Sequence, residues 1–518
     1  MRTSAKHASR HFPFGTAAAL AALLLSGCAS IQVDALTTSE IATTVKTDKS
    51  ALTEGVEPLP GPLTLEEAIA RGVKYNAERR FKAMEEAVAF GAFEAGNYDM
   101  LPKLVASAGY RSRDNDLITR SKDSVTGAQS LANPFISSGR SATTSDLAFS
   151  WSLLDFGQSY YAAKQNADRV LIAAERRRKA LHTLIQDVRT AFWRVVAAQK
   201  LSAALLAGIA EAEESLNDAK AAETKNIRSP LEPLRYQRQL LENIRLLETI
   251  EQELATARIE LASLTSLPLS QNIQVVEPAS TVNTLWLNVP VDQMEEHALM
   301  RNPDLREGMY NARIAQQETR RALLKIFPGL SFNYAHKTSN DSYLIHQNWN
   351  EAGAQISLNL LGLLAAPAQM RLADAGVALA DQKRMATQMA VLTQLHIARL
   401  QYASAARQFA RADAIAKVDD RMASHIAHQE QAEKQSKLER VSQQTAAILS
   451  QLRRYQALSN AQSAASRLQA TLGMEPAVEG GDAMPLQDLT LAVAASLKRW
   501  ETGKLPELPK DPAAGPER

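Results

Sequence analysis

The sequence predicts a mainly α-helical chain with long helices and four β-strands that contribute to a small transmembrane β-barrel. Three observations predict this fold class. Long segments are rich in Ala, Leu, Gln, Glu and Arg, which favour helix, whereas Gly and Pro (22 and 20 residues) are scarce for an all-β protein. Four short segments alternate apolar and polar residues. The body of the chain is a tandem repeat, so each element occurs twice.

Composition excludes several classes of protein. The 518 residues include 58 Lys+Arg and 56 Asp+Glu, a balance that is unusual for nucleic-acid-binding proteins. The single cysteine excludes an internal disulfide framework and a Cys-rich metal site. The sequence has no phosphate-binding Gly loop, no nucleophile elbow and no His-Glu-x-x-His motif. We therefore expect no enzyme activity, no metal and no nucleic-acid partner.

Residues 1–27 have the features of a lipoprotein signal peptide. A basic segment precedes an apolar run, residues 16–25, that is too short to span a bilayer as a helix. The sequence Leu25-Ser26-Gly27-Cys28 matches the bacterial lipobox, and Cys28 is the only cysteine. We expect diacylglycerol and an N-acyl chain such as palmitate on Cys28, and Ala29 after it favours sorting to the outer membrane. An ordinary signal peptide with a chance cysteine is the alternative.

Two segments flank the repeats. Residues 28–63 are rich in Thr, Ser and Pro and lack sustained periodicity, which predicts an extended, lipid-anchored tether. Residues 474–518 form a Pro-rich tail of mixed charge, with a short helix expected around residues 486–500.

Residues 64–273 and 290–473 are two copies of one unit. Arg301-Asn302-Pro303-Asp304 follows Tyr75-Asn76-Ala77-Glu78 by 226 residues, and the helix ends Ser266 and Gly473 are 207 residues apart. The length difference falls between residues 112 and 146, which indicates an exposed loop. The predicted helices span 65–74, 77–100, 157–225 and 234–266 in the first copy, and 291–300, 303–326, 365–433 and 440–472 in the second.

Each copy contains a predicted β-hairpin, at residues 103–153 and 329–361. Large apolar side chains on one face and Ser, Asn or Gln on the other are typical of a membrane barrel wall, although a strand half-buried on a soluble core alternates in the same way. The alternating segments are Leu147–Leu153, Leu330–Tyr334, Gln355–Leu360 and, more weakly, Leu104–Tyr110.

Four strands are too few to close a barrel, and an open sheet would expose unpaired edges to lipid. The chain is therefore predicted to oligomerise, and three copies would give twelve strands. Because no strand separates Cys28 from the first helices, the helices are expected on the lipidated, periplasmic side. Residues 112–146 and 338–353 would then be extracellular loops.

These features resemble the TolC-like outer-membrane efflux channels, in their lipoprotein branch. The resemblance implies a homotrimer in the outer membrane, with a twelve-stranded barrel and a twelve-helix periplasmic tunnel. It also implies passive conduction of solutes from an inner-membrane transporter and a periplasmic adaptor (membrane fusion) protein, as in tripartite efflux or type I secretion systems. The motifs that carry it include Leu65-Glu66-Glu67-Ala68-Ile69, Leu101-Pro102, Leu154-Asp155-Phe156-Gly157, Ala191-Phe192-Trp193 and Phe327-Pro328.

Glu232 and Glu439 match the turn carboxylates of the family motif. In a threefold tunnel each would form a ring of three charges near the periplasmic constriction and favour cations. A solvated acid at a helix end is the alternative. His425 and His428 have no third ligand nearby in sequence, so a polar tip is expected there rather than a metal site.

A different function class stays open at this stage. A periplasmic coiled-coil scaffold lipoprotein that is not a channel would explain the long helices, but it would not explain the four alternating strands. The cargo of a channel, whether drug, metal or polypeptide, is not identified by the sequence.

Overall fold

The computed structural model describes residues 34–120, 122–129, 135–225, 231–279, 281–431, 437–474 and 483–507. The signal peptide and Cys28 lie outside these residues. The chain divides into two compact units, Met1–Gly55 and Val56–Arg518.

The described part of the first unit contains helix α1, Thr38–Thr53. The prediction of an extended tether over residues 28–63 is therefore wrong for this stretch. A capping box starts the helix, because Thr37 Oγ1 accepts a hydrogen bond from Glu40 N (3.2 Å) and the Glu40 carboxylate accepts one from Thr37 N (2.8 Å). No residue of α1 is buried. The local cap thus defines a helix that apolar periodicity does not reveal.

The second unit contains nine further α-helices and six strands among its described residues. The helices are α2 (Leu65–Tyr75), α3 (Ala77–Tyr98), α4 (Leu153–Lys225), α5 (Leu231–Leu264), α6 (Val291–Arg301), α7 (Pro303–Leu324), α8 (Leu360–Gln431), α9 (Lys437–Thr471) and α10 (Leu486–Glu501). The strands are β1 (Lys103–Ser112), β2 (Ile118–Thr119), β3 (Phe135–Ile136), β4 (Ser141–Ser152), β5 (Gly329–Ser339) and β6 (Asn348–Ser357).

The helices lie close to their predicted positions, but two strands are displaced. The strand β4 starts six residues before the predicted Leu147, and β6 covers Asn348–Ser357 instead of Gln355–Leu360. The predicted end of β6 is wrong because Leu360 belongs to α8. Asn359 Oδ1 accepts a hydrogen bond from Gly362 N (2.8 Å) and so caps this helix. The alternation of apolar and polar residues continues across the junction between β6 and α8, so it does not mark the end of the strand.

In each repeat, an equivalent asparagine links the start of one helix to the end of another. Asn76 Oδ1 accepts from a backbone N–H of α3 (3.1 Å), and its Nδ2 donates to Leu264 O at the end of α5 (3.3 Å). Asn302 Oδ1 accepts from a backbone N–H of α7 (2.9 Å), and its Nδ2 donates to Thr471 O at the end of α9 (3.1 Å). Each side chain thus satisfies unpaired groups at the start of one helix and the end of another.

The core of the second unit lies where α2, α4, α5, α9 and α10 meet. Trp193 of α4 is 1% exposed, and Leu261 and Leu458 are fully buried beside it in the same cluster. A second cluster contains Trp286 and Trp500, whose rings stack at 4.0 Å. The helix α4 contains 73 residues, which corresponds to about 110 Å at about 1.5 Å per residue. The core therefore covers only part of its length.

The same left-handed turn ends the final helix of each repeat. Ser266 has φ 55° and Gly473 has φ 66°. In each case the N–H of the next residue bonds to the carbonyl five residues before it, at 2.9 Å after Ser266 and 3.0 Å after Gly473. These are Schellman caps. The two caps are 207 residues apart, which is the spacing from which the repeat is inferred.

We expect Gly473→Ala to destabilise the fold by about 2 kcal/mol or more, because a left-handed backbone costs a residue with a Cβ about 1–2 kcal/mol. In addition, this Cβ would lie 2.4 Å from Arg301 O. Thermal unfolding followed by circular dichroism checks the change. Gly61→Ala is the control, since nothing lies within 4 Å of its added Cβ, and it should shift stability by less than about 0.5 kcal/mol. Equal effects of the two changes would contradict the assignment of Gly473 to a left-handed helix cap.

Candidate functional site

Four strands form one antiparallel sheet in the order β1-β4-β5-β6. They contain 10, 12, 11 and 10 residues, close to the roughly 9–11 residues that a tilted strand needs to cross a bilayer. The sheet pairs the hairpin of the first repeat with that of the second through β4 and β5. The two predicted hairpins thus combine into one wall.

One face of the sheet is apolar. Leu104 of β1 lies opposite Phe149 of β4, which lies opposite Tyr334 of β5 and, beyond it, Ala352 of β6. These large side chains are exposed: Leu104 by 65%, Phe149 by 38% and Tyr334 by 48%. A sheet on a soluble core would cover this face. The exposure of the apolar face favours contact with lipid.

The opposite face is mostly small and polar, although Val105 and Trp349 also lie on it, and it carries all the Lys, Arg, Asp and Glu side chains of the four strands. Asp146 of β4 lies opposite Lys337 of β5. Lys337 Nζ also lies 2.5 Å from the carboxylate of Glu351 on β6. Charges confined to one face, with most of the aromatic rings on the other, are the arrangement of a barrel with a water-filled interior. This face can therefore line an aqueous path.

An aromatic cluster marks the junction between β4 and α4. The rings of Trp151 and Phe156 are 5.9 Å apart, and those of Phe156 and Tyr160 are 6.5 Å apart. Phe156 and Tyr160 are 39% and 40% exposed. Tyr and Trp are enriched at membrane interfaces, where one end of the ring system is apolar and the other wet. The cluster indicates where the helical part meets the edge of the sheet.

The sheet has two open edges in the part of the chain that the structure describes. The strand β1 pairs only with β4, and β6 pairs only with β5. The backbone N–H and C=O groups on the outer side of each edge strand lack sheet partners. Such edges are excluded from the hydrocarbon region of a membrane unless another chain pairs with them.

The loops at the outer end of the two hairpins are held together by hydrogen bonds. Their described residues lie between 113 and 140, where they include β2 and β3, and between 340 and 347, in both cases within the predicted loops. Thr143 N donates to Asn340 Oδ1 (2.6 Å), and Asn340 N donates to Thr143 O (3.1 Å). Asp341 accepts from Gly139 N (2.9 Å) and from Ser138 Oγ (3.1 Å). We call the contacts of Asn340 and Asp341 the loop clasp.

The charge of Asp341 strengthens the loop clasp. The hydrogen bond from Gly139 N, assisted by one from Tyr343 N and by Arg111, lowers the pKa of Asp341 below its ordinary value. A lowered pKa in the folded state means that the clasp gains stability above the ordinary pKa of Asp. That stability is lost as the pH falls through the lowered pKa. The clasp is therefore fully formed at neutral pH.

The described ends of the long helices lie together, at the end away from the sheet. Lys437, which begins α9, places its Nζ 3.3 Å from the carboxylate of Asp218 on α4. Arg440 forms an ion pair with Glu211 of α4. Leu240 of α5 and Val441 of α9 belong to one buried cluster at this end. The two helical hairpins therefore share one tip.

The two residues predicted to carry the turn carboxylates both lie at helix starts. Glu232 lies in the first turn of α5, and Glu439 lies in the first turn of α9, where its side chain is exposed. A position in a first helical turn also suits a carboxylate that simply complements the helix dipole. His425 and His428 are exposed on α8. Among the described residues, no three His, Cys, Asp or Glu side chains converge as metal ligands.

Solved structures with similar folds are known, although no protein-family model and no curated protein sequence matches the chain. The outer membrane channel CmeC of Campylobacter jejuni superposes with a TM-score of 0.63 at 12% identity, covering 85% of this chain and 89% of CmeC. A membrane protein of Pseudomonas aeruginosa gives 0.61 at 15% identity, covering 79% and 90%. The outer membrane protein VceC of Vibrio cholerae gives 0.59 at 14% identity, covering 79% and 97%.

The chain has the fold of the outer-membrane channels. This confirms the predicted resemblance at the level of the fold, including a mainly helical chain with a few strands. Identities of 12–15% carry the fold alone.

Sequence reasoning missed several polar residues of this outer-membrane channel fold. Asp146 and Lys337 were outside the predicted strands, because the predicted segments covered only the most strongly alternating part of each hairpin. Extending the alternation by one residue before Leu147 and by three residues after Tyr334 would have placed both on the polar face. The loop clasp of Asn340 and Asp341 had no signal in the sequence, since its partners lie about 200 positions away.

We expect Phe149→Arg to prevent assembly in the outer membrane, since an arginine on a lipid-facing barrel position costs about 2–4 kcal/mol at the bilayer midplane. Heat-modifiable oligomer in outer-membrane fractions measures the effect. Ala148→Arg is the matched control, because this adjacent residue lies on the polar face in the row that contains Glu351. Equal loss of oligomer in the two variants would show that the faces are wrongly assigned.

Proposed function

We propose that the chain is one subunit of a homotrimeric outer-membrane channel that passively conducts solutes from the periplasm to the exterior. The sheet with an exposed apolar face and two open edges supports this function best. All neighbouring strands are antiparallel, so β1 and β6, at opposite ends of a four-stranded sheet, run in opposite directions. The β6 edge of one copy can therefore pair with the β1 edge of the next in antiparallel register and close a ring.

The number of copies follows from the size of the barrel. Two copies would give eight strands, and the interior of such a barrel is just filled by side chains. Three copies give twelve strands, the smallest ring of this sheet that leaves room for an aqueous path. This agrees with the trimer that the resemblance implies.

Exposed apolar residues on the helices also support subunit contacts. On α8, Leu372, Leu379 and Leu400 are 74%, 71% and 67% exposed. On α3, Phe81 and Val88 are 57% and 73% exposed. A helix in water normally buries such side chains. Packing of these faces between three chains would form a helical tunnel continuous with the barrel.

The alternative of a periplasmic coiled-coil scaffold lipoprotein is disfavoured by the sheet. A scaffold in water would leave the apolar face of the sheet uncovered, with Leu104, Phe149 and Tyr334 in contact with solvent. It would also leave both edges open, which promotes aggregation. The lipid on Cys28 would anchor either protein, so the anchor does not separate the two functions.

Partners are proposed from the same arrangement. The channel would receive its solutes at the helical tip from a periplasmic adaptor and an inner-membrane transporter, in a tripartite efflux or type I secretion system. The similarity to CmeC and VceC, both described as outer-membrane proteins, supports the location. We propose no cofactor apart from the acyl lipid on Cys28, no enzyme activity and no nucleic-acid partner.

Single-channel recording tests the proposed function. The purified full-length protein should insert into planar bilayers in discrete steps of ohmic conductance, because a closed trimer encloses a water-filled path. Chemical cross-linking of the same sample should give a trimer. A protein that binds bilayers without conductance steps, or that runs as a monomer after cross-linking, would support the scaffold instead.

We expect Glu439→Gln to reduce cation selectivity, because a ring of three carboxylates at the tip would concentrate cations. The reversal potential under a KCl gradient measures selectivity, and the Glu232→Gln/Glu439→Gln double variant should show the larger shift. Glu248→Gln is the control, since this exposed acid lies in the middle of α5. Unchanged selectivity in the double variant would refute the charge rings without refuting the channel.

We expect Cys28→Ser to abolish incorporation of a palmitate analogue, because the thiol is the attachment point of the lipid. A second variant, Cys28→Ser with Ser30→Cys, moves the thiol two residues away from the lipobox and should stay unlabelled. Gel fluorescence of the labelled protein distinguishes these results. Labelling of either variant would show that the lipobox assignment is wrong.

A further inference from the structure

One tryptophan lies on the polar face of the sheet, which the other aromatic residues of the strands avoid. This residue, Trp349 of β6, lies directly opposite Lys337 of β5, which itself lies opposite Asp146 of β4. Trp349 is half-buried and is the second residue of β6, at the end of the sheet that carries the loop clasp. In a barrel its ring would face water instead of lipid. The other Phe, Tyr and Trp residues of the four strands lie on the apolar face, and they are Tyr110, Phe149, Trp151, Phe332 and Tyr334.

The indole of Trp349 is held by its edge. Its Nε1 donates a hydrogen bond to Glu351 Oε1 (3.1 Å), two residues further along the same strand. The other oxygen of this carboxylate, Oε2, lies 2.5 Å from Lys337 Nζ. The ammonium of Lys337 is thus drawn to Glu351, and no Lys or Arg of the described residues lies over the Trp349 ring. The π system of this ring therefore has no cation of its own chain as a partner.

The charges beside Trp349 favour a cation. Asp146, Lys337 and Glu351 carry two negative charges and one positive charge, which leaves one negative charge in each subunit. In the described part of the chain, the Asp146 carboxylate accepts no hydrogen bond and forms no ion pair within 4 Å. Only β5 separates Asp146 from Trp349, so at about 4.8 Å per strand their backbones are about 10 Å apart. An unneutralised carboxylate therefore lies in the same row as the aromatic ring.

The two other cations of the polar face do not cancel this charge. Arg111 of β1 belongs to the loop region, where its Nη2 lies 3.8 Å from the carboxylate of Asp341. Lys103 is the first residue of β1, at the opposite end of that strand. It precedes Ser107, the partner of Asp146, by four residues, or about 13 Å at about 3.3 Å per residue. The row that contains Trp349 thus keeps its net negative charge.

We propose that Trp349 and Asp146 form a binding site for organic cations, such as quaternary ammonium compounds, on the inner wall of the channel. This rests on the proposed function, since only a closed barrel makes the polar face the lining of an aqueous path. A cation is attracted to the face of an aromatic ring, and among aromatic side chains Trp attracts it most strongly. The carboxylate of Asp146 attracts the same charge. An anion would meet a net negative charge, and a neutral solute would lack both attractions, so the site assigns organic cations as a class of cargo.

Choline is a suitable probe, with 3,3-dimethyl-1-butanol as the neutral molecule of the same shape. The purified full-length protein is inserted into planar bilayers in KCl, and each compound is added to both sides while single-channel current is recorded. We expect choline to reduce the open-channel current saturably, because a cation held at the wall impedes the passage of K⁺. The neutral compound should leave the current unchanged.

Variants separate the ring and the carboxylate from a general effect of choline on the pore. Trp349→Leu should raise the choline concentration for half of the maximal effect about two- to fivefold, as expected for the loss of one exposed cation–π contact. Trp349→Phe, which keeps an aromatic face but removes the N–H, should raise it less. Asp146→Asn should raise it as well. Tyr110→Leu is the matched control and should leave it unchanged, because this 71% exposed ring lies on the apolar face.

The outcomes distinguish failure of the site from failure of the channel. Conductance steps without a saturable choline effect, or equal effects of choline and 3,3-dimethyl-1-butanol, would overturn the site alone. An unchanged choline response in Trp349→Leu channels would overturn it as well. If Trp349→Leu, on an edge strand, forms no channels, Asp146→Asn on a central strand decides, and a wild-type response there would overturn the site. Absence of any conductance steps in the wild type would overturn the channel and the site with it.

Discussion

The unpaired edges of a single four-stranded sheet are the constraint on which the rest of the molecule depends. In hydrocarbon, each backbone N–H and C=O must be paired within protein, so a sheet with an apolar, exposed face cannot enter a bilayer while β1 and β6 remain open. In the proposed trimer, pairing between copies would remove both edges at once, because the two edge strands run in opposite directions. The polar face, with Asp146 and Lys337, would then turn away from lipid, which only a closed ring allows.

The sheet sets the direction of the long helices. The helix α4 begins at the residue after β4, and α8 begins three residues after β6. Such short connections leave little freedom, so the direction of the strands sets the direction of helices that contain 73 and 72 residues. The shorter helices are then tied to the long ones by paired devices, the asparagine caps and the left-handed turns after α5 and α9. Because both repeats use the same devices, the subunit has an approximate internal symmetry.

The region around α10 does not follow the pattern of the two repeats. The apolar clusters there bury Trp193, Trp286 and Trp500, yet they also enclose Arg189, whose charge is only partly satisfied by Gln462. Structural stability alone does not call for a buried arginine, since an apolar residue of similar volume is often at least as stable there. The Gln462 side chain accepts a hydrogen bond from Arg189, and the Glu501 carboxylate lies close enough to act as a counter-charge. The C-terminal helix, which the repeats do not contain, packs against this region through the stack of Trp500 on Trp286.

The sequence by itself determined the repeat, the order of the helices and strands, and the existence of an apolar and a polar strand face, because each of these is a local or periodic property. It placed Ser266 and Gly473 at equivalent helix ends, and it located Glu232 and Glu439 at the turns. It did not reveal α1, since Thr37 and Glu40 cap a helix without an apolar stripe, and it extended β6 into α8. Only the tertiary structure decided which residues meet across long separations. The loop clasp between Asp341 and Gly139 and the stack of Trp286 on Trp500 depend on contacts between distant elements, and no periodicity in sequence encodes such contacts.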